Sequence, residues 1–368
     1  MAEALKHIYN KTFFDQLTQA LQESISGFDK KAFLKAIHDK NWEQRELKDR
    51  MKHIAFVMHQ FLHQDFAKDV KTLFILIDRL RKNGARESSF EYMFLPEYIE
   101  AYGIQHPDLA IKAFERITPF TSCEFAVRPF IKKYPDQMMA QMLSWATHAN
   151  HHVRRFASEG CRPRLPWAMA LPDLKKNPKA ILPILEKLKQ DPSEYVRRSV
   201  ANNLNDIIKD NPEVVLKLAQ QWTGKHEHTD AILKHGTRTL LKQGHVEALS
   251  LFGFSADTNC EVLQFTVTNK QLRIGEHLHF SFQLCNNHKK NHKLRLEYRI
   301  YYVKSNGKQS AKIFKITENH FNTGEVYSFQ RKQSFQDMTT RKHYHGVHKI
   351  CLVVNGTELS SKTFKLIP

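Results

Sequence analysis

The chain has 368 residues, 41% of them aliphatic, aromatic or cysteine, and a formal charge of +18 at pH 7. That length suits about two domains, and that apolar share excludes a chain dominated by disorder. No stretch approaches the roughly 20 uninterrupted apolar residues of a membrane span, residues 1–10 are too polar for a secretory signal, and five scattered cysteines (Cys123, Cys161, Cys260, Cys285, Cys351) form no C-x-x-C pair. The expectation is a soluble, cytoplasmic protein with reduced thiols.

From the N-terminus to about residue 245 the apolar residues recur three and four apart, as in Phe33, Leu34, Ile37 and Ile54, Phe56, Val57, Phe61, Leu62. Gly27-Phe28-Asp29, Asn83-Gly84, His106-Pro107-Asp108, Tyr134-Pro135-Asp136, Asp191-Pro192-Ser193 and Asn211-Pro212-Glu213 each read as a helix end followed by a new start. Many short helices joined by such turns predict an all-α array over residues 1–250. Val153-Arg154-Arg155-Phe156-Ala157 returns 43 residues later as Val196-Arg197-Arg198-Ser199-Val200-Ala201, with a weaker echo at Ala126-Val127-Arg128-Pro129-Phe130. That period fits helix-pair repeats of the HEAT class, stacked into a solenoid with an extended binding surface. Residues 221–257 read as the last helices and a linker.

Beyond about residue 255 the period becomes two. Leu278, Phe280, Phe282, Leu284 and Leu294, Leu296, Tyr298, Ile300, Tyr302 alternate with neighbours of the other face, and further strands read at 261–267, 312–316, 326–335, 348–354 and 359–366. Seven short strands predict an immunoglobulin-like β-sandwich over residues 258–368. Asn355-Gly356 predicts a type I′ hairpin, and Tyr344 is placed like a tyrosine corner.

Charge is uneven along this plan. Residues 1–150 hold 21 Lys/Arg against 19 Asp/Glu, residues 151–200 hold 11 against 5, and residues 251–368 hold 18 against 8. Two basic regions favour a polyanionic partner. The densest chemistry lies at 151–167, where a helix with Arg155 and Glu159 four residues apart runs into Gly160 and then Arg162-Pro163-Arg164-Leu165-Pro166-Trp167. Guanidinium forks beside a large aromatic on a stiff turn suit phosphate clamping next to a stacked base. The bland alternative is an Arg155–Glu159 surface pair with Trp167 packed under a loop.

The run HVRRFASEGCRPRLPWA, residues 152–168, resembles the signature of the AlkC branch of HEAT-like-repeat DNA glycosylases, and Glu46–Met51 and Tyr195–Asp206 resemble the same family. Some AlkC-type proteins carry a C-terminal immunoglobulin-like domain, so the resemblance spans nearly the whole chain. It implies hydrolysis of the N-glycosidic bond of cationic alkylated bases in duplex DNA, chiefly 3-methyladenine with 3-methylcytosine as a candidate second substrate, without flipping the base. A cationic base is already a good leaving group. Carboxylates that stabilise an oxocarbenium-like sugar and place a water suffice, with no cofactor or metal.

Three candidates follow from the resemblance. Glu159 lies in the motif. Asp206 stands ten residues past Val196 where Glu159 stands six past Val153, about 40° apart in helical direction, so stacked repeats turn both to one side. Glu124 follows Thr118-Pro119. Arg154, Arg155, Arg162, Arg164 and Trp167 are the expected DNA contacts. The 21 histidines form no H-E-x-x-H set, and neither a phosphate loop nor a G-x-S-x-G elbow occurs. A monomer acting on double-stranded DNA is expected. The competing readings are a non-catalytic array that recognises distorted or branched DNA, and a protein-binding scaffold.

Overall fold

The computed structural model describes residues 5–255, 258–338 and 341–368; Ala256 and Asp257, at the end of the linker read from sequence, lie outside them. The chain forms two compact units, residues 1–212 with 224–236, and residues 213–223 with 237–368.

The first unit is helical. Its elements are α1 (Lys11–Ser24), α2 (Lys30–Ile37), α3 (Leu47–Phe61), α4 (Phe66–Lys82), α5 (Phe94–Gly103), α6 (Pro107–Ile117), α7 (Arg128–Lys133), α8 (Pro135–Trp145), α9 (His151–Gly160), α10 (Pro172–Lys176), α11 (Leu182–Leu188) and α12 (Glu194–Ile207). After α13 (Pro212–Trp222), which belongs to the second unit, α14 (Glu227–Gly236) completes the first. Helix starts follow the turn chemistry. Asn10, Asp29 and Asn150 each accept a backbone N–H of their helix's first turn, from Phe13, Ala32 and His152, while Pro107, Pro135 and Pro172 occupy first-turn positions that need no donor.

Helices pack on their chain neighbours and again on the next helix but one, as in α3 with α5 and α4 with α6, the pattern of stacked pairs. The 43-residue repeat has a structural counterpart in α9 and α12. Val153 and Val196 are both fully buried, and Asn203 Nδ2 donates to Ser158 O at 2.8 Å, tying the two helices together. Arg154 and Arg197 also correspond. Arg154 Nη1 donates to His148 O and Ala149 O, as Arg197 Nη1 does to Asp191 O and Pro192 O, so each staples the turn that precedes its own helix.

The second unit contains α13, α15 (Arg238–Gln243), α16 (Val246–Leu251) and eight strands: β1 (Cys260–Val267), β2 (Gln271–Arg273), β3 (His277–Asn286), β4 (His292–Val303), β5 (Gln309–Phe321), β6 (Val326–Ser334), β7 (Gly346–Val354) and β8 (Thr357–Ile367). They form a three-stranded sheet, β1-β3-β6, and a five-stranded sheet, β2-β8-β7-β4-β5. The inward sets read from period two, Leu278 to Leu284 and Leu294 to Ile300, are buried in the shared core. The period of two predicts seven strands; β2, three residues paired parallel to β8, is too short for a period to register.

Asn355 (φ +46°) and Gly356 (φ +85°) join Val354 to Thr357 in a two-residue hairpin of the primed kind expected. Gly356 meets Gly244, the left-handed cap of α15, so closely that a Cβ on Gly356 would stand 2.1 Å from Gly244 Cα. The tyrosine-corner expectation fails. Tyr344 is 36% exposed, and it is its backbone carbonyl that accepts a hydrogen bond, from His348 Nε2 at 3.0 Å.

Candidate active site

The last turn of α9 and the second half of α12 face each other across the helix pair. Glu159 and Asp206, both buried, are bridged by Arg162, whose Nη1 donates to Glu159 Oε1 at 2.6 Å and whose Nε donates to Asp206 Oδ2 at 2.9 Å. Ser199 Oγ, on α12, donates to Glu159 Oε2 at 2.6 Å. Lys209 Nζ lies 3.3 Å from Asp206 Oδ1. The common direction expected from the repeat is therefore present, with a guanidinium set between the two acids.

Glu124 joins from another side. It sits in the turn before α7, where its Oε2 accepts from Ser122 Oγ at 2.6 Å and from Arg155 Nη1. Arg155 Nη2 reaches Glu159 Oε1 at 3.5 Å, and the guanidinium lies 4.9 Å over the Tyr195 ring. Glu124, Arg155, Glu159, Arg162 and Asp206 thus form one chain of contacts. Three carboxylates face two largely buried guanidiniums, and the partly exposed Lys209 ammonium on Asp206 supplies the third positive charge. Carboxylates fixed in place and shielded from water can meet a cation that develops nearby.

The remaining predicted residues divide. Arg164 is at the surface in a bidentate pair with Asp210, at 2.8 and 2.6 Å, and the guanidinium beside Asp210 holds that carboxyl below its usual range. Arg154 stands apart from the cluster, its fork taken by Asp191 at 2.6 and 3.1 Å. Trp167 is 62% exposed at φ +65°, a left-handed conformation that costs a residue with a Cβ. It rides on the loop 163–171, where Ala168 N donates to Leu165 O and Leu171 N to Pro163 O.

Residues 94–240 match the family model described as a DNA alkylation repair enzyme, and residues 261–368 match that of the C-terminal Ig-like domain of the uncharacterised protein YhaZ. The chain is 43% identical over 362 residues to the uncharacterised protein YhaZ of Bacillus subtilis (strain 168), covering 98% of this chain and 99% of that one. It is 37% identical, with a TM-score of 0.94 over the full length of both chains, to the Pseudomonas fluorescens alkylpurine DNA glycosylase AlkC bound to DNA containing an abasic site analog. The chain belongs to the AlkC-type DNA alkylation repair family.

For this AlkC-type chain several site residues escape sequence reasoning. Tyr195 and Ser199 join the site through Arg155 and Glu159, each 40 residues away, and a serine or tyrosine on a helix carries no signal of that; Ser122 joins through its near neighbour Glu124 and through Arg155. Tyr195 and Ser199 do fall inside the family-like run 195–206. Arg128, in the weak third copy of the repeat, is fully buried and donates through Nη1 to Gly160 O at 3.0 Å, immediately beyond Glu159. Burial lowers its pKa to about 10, so it stays charged at neutral pH.

Proposed function

We propose that this chain is a DNA glycosylase that hydrolyses the N-glycosidic bond of cationic alkylated bases in duplex DNA, 3-methyladenine foremost and 3-methylcytosine second, with the lesion kept in the stack. The observation that carries the reading is the linked trio Glu124, Glu159 and Asp206 in a chain that matches an alkylpurine DNA glycosylase over its whole length. A purely DNA-binding surface gains nothing from three acids, because each one repels phosphate.

A methylated base that carries positive charge leaves as a neutral molecule when the C1′–N bond breaks, and its bonding electrons go to the ring nitrogen. Positive charge then builds on C1′ and O4′ of the sugar. The carboxylates, held in fixed positions beside it, stabilise it. Water adds to C1′, its proton passes to Glu159 or Asp206, and the products are free base and an abasic site. Arg155 and Arg162, closed in by these acids, hold the carboxylates in position. Arg164 is the exposed candidate for phosphate, and Trp167 presents a flat ring to the duplex. The basic β-sandwich adds electrostatic attachment. The test is incubation of the protein with methylated duplex DNA and identification of any released base. Free 3-methyladenine supports the proposal; duplex binding without release would favour a recognition protein instead.

A further inference from the structure

The loop 163–171 makes two contacts that its own turn chemistry does not require. Arg128 Nε, from α7, donates to Met169 O at 2.6 Å, and Lys48 Nζ, from α3, donates to Trp167 O while lying 4.7 Å over the Phe125 ring. The same Arg128 guanidinium reaches Gly160 O at the end of α9. One buried side chain therefore links the residue after Glu159 to the residue two beyond Trp167.

Among the described residues no carboxylate lies within ion-pair distance of Arg128, and its Nη2 has no hydrogen-bond partner. A guanidinium buried on such terms is costly, and an apolar side chain of similar length would fill the space without that cost. What the cation obtains in return is two carbonyls, one on each side of the site. From this juxtaposition we infer that Arg128 and Lys48 form a clamp that fixes the Trp167 indole relative to Glu159, and that both are positioning residues for base excision. The inference rests on the reading of Trp167 as a DNA-facing ring. A left-handed residue on an exposed loop relaxes unless its carbonyl and its neighbours are held, and misplacement of about 1 Å can cost on the order of 100-fold in rate.

Trp42, Trp145 and Trp222 are buried, so acrylamide quenching and fluorescence anisotropy of the exposed tryptophan report on Trp167, with Trp167→Phe supplying the background. Arg128→Met removes the clamp at a residue that DNA cannot touch. Lys48→Met removes it at an exposed position and serves should Arg128→Met not fold. The expected result is lower Trp167 anisotropy in each variant and a roughly 10- to 100-fold slower single-turnover excision at saturating protein, no slower in combination with Trp167→Ala than in Trp167→Ala alone. Unchanged anisotropy in a folded variant overturns the clamp. A rate loss from Arg128→Met that multiplies with that of Trp167→Ala overturns it as well. Excision at the wild-type rate by Trp167→Ala, with anisotropy lowered in the clamp variants, would remove the indole from the reaction while leaving the loop's tethering established.

Discussion

Glu159→Gln separates the electrostatic role of this residue from its structural one. In the native cluster Glu124, Glu159 and Asp206 face Arg155 and Arg162, and only the exposed end of Lys209 lies beyond them. The substitution leaves Arg155 with Glu124 and Arg162 with Asp206, so neither guanidinium is orphaned while one negative charge is removed. Two bonds at 2.6 Å, donated to Glu159 by Arg162 and by Ser199, lose the carboxylate's charge. At roughly 1 kcal/mol each, the stability cost is about 2 kcal/mol. That corresponds to a fall in Tm of roughly 4–8 °C for a unit of this size. The rate cost is larger. Removal of one preorganised electrostatic stabiliser costs on the order of 100- to 1000-fold, or about 3–4 kcal/mol. The assay is single-turnover release of base from methylated duplex with protein in saturating excess, alongside thermal melting and duplex affinity. A rate within twofold of wild type, with the melting shift present, would mean that Glu159 only supports the fold, and electrostatic stabilisation by its carboxylate would be refuted.

Asp206→Asn and Glu124→Gln each give smaller rate losses, about 10-fold in the same assay, because Glu159 remains; a loss exceeding that of Glu159→Gln would reverse their order. Arg164→Ala weakens binding to damaged and undamaged duplex alike and lowers the salt slope by about one unit; loss confined to lesion DNA would make Arg164 a reader of the base. Burial, with Glu97 adding to it and Lys52 and Lys48 opposing, raises the Glu100 carboxyl to about 7. The folded state therefore binds that proton more tightly than the unfolded chain, and stability falls as pH rises from about 4.5 through 7. Glu100→Gln escapes this fall, melts like wild type near pH 4.5, and is more stable at pH 8 by at most ~3 kcal/mol; equal melting at pH 8 would refute it. Gly356→Ala costs roughly 2–4 kcal/mol in chemical denaturation, from the positive φ and the backbone of Gly244 together; a cost below 1 kcal/mol would show that the hairpin yields.

Much of this was legible in the chain because it is periodic. The switch from a period near 3.6 to a period of two separates the helical run from the strands, and Asn355-Gly356 fixes a turn through backbone conformation alone. The repeat that aligns Val153 with Val196 also brings Glu159 and Asp206 to one side, since stacked copies share a helical phase. What the sequence conceals is occupancy. Arg154 and Arg155 are adjacent and chemically identical, yet one staples a turn and the other joins the acids, a difference decided by Asp191 and Glu124. Arg162 reads as a phosphate ligand until Glu159 and Asp206 are found on its two ends. Tyr344 had the right position for a corner and the wrong neighbours.

The meeting of Gly244 with Gly356 bears on how this chain can be recombined. A helix cap and a hairpin tip that touch through bare backbone admit no side chain at either position, and enlarging one cannot be offset by shrinking the other, since neither has anything left to remove. Ser255 and Phe252 reinforce the junction, their carbonyls accepting from Asn355 Nδ2 and Lys293 Nζ. A chimera that joins the strands alone to a foreign helical array, cut at the point where the hydrophobic period changes, would discard half of a matched pair. A portable form of the sandwich carries α15 and α16 with it.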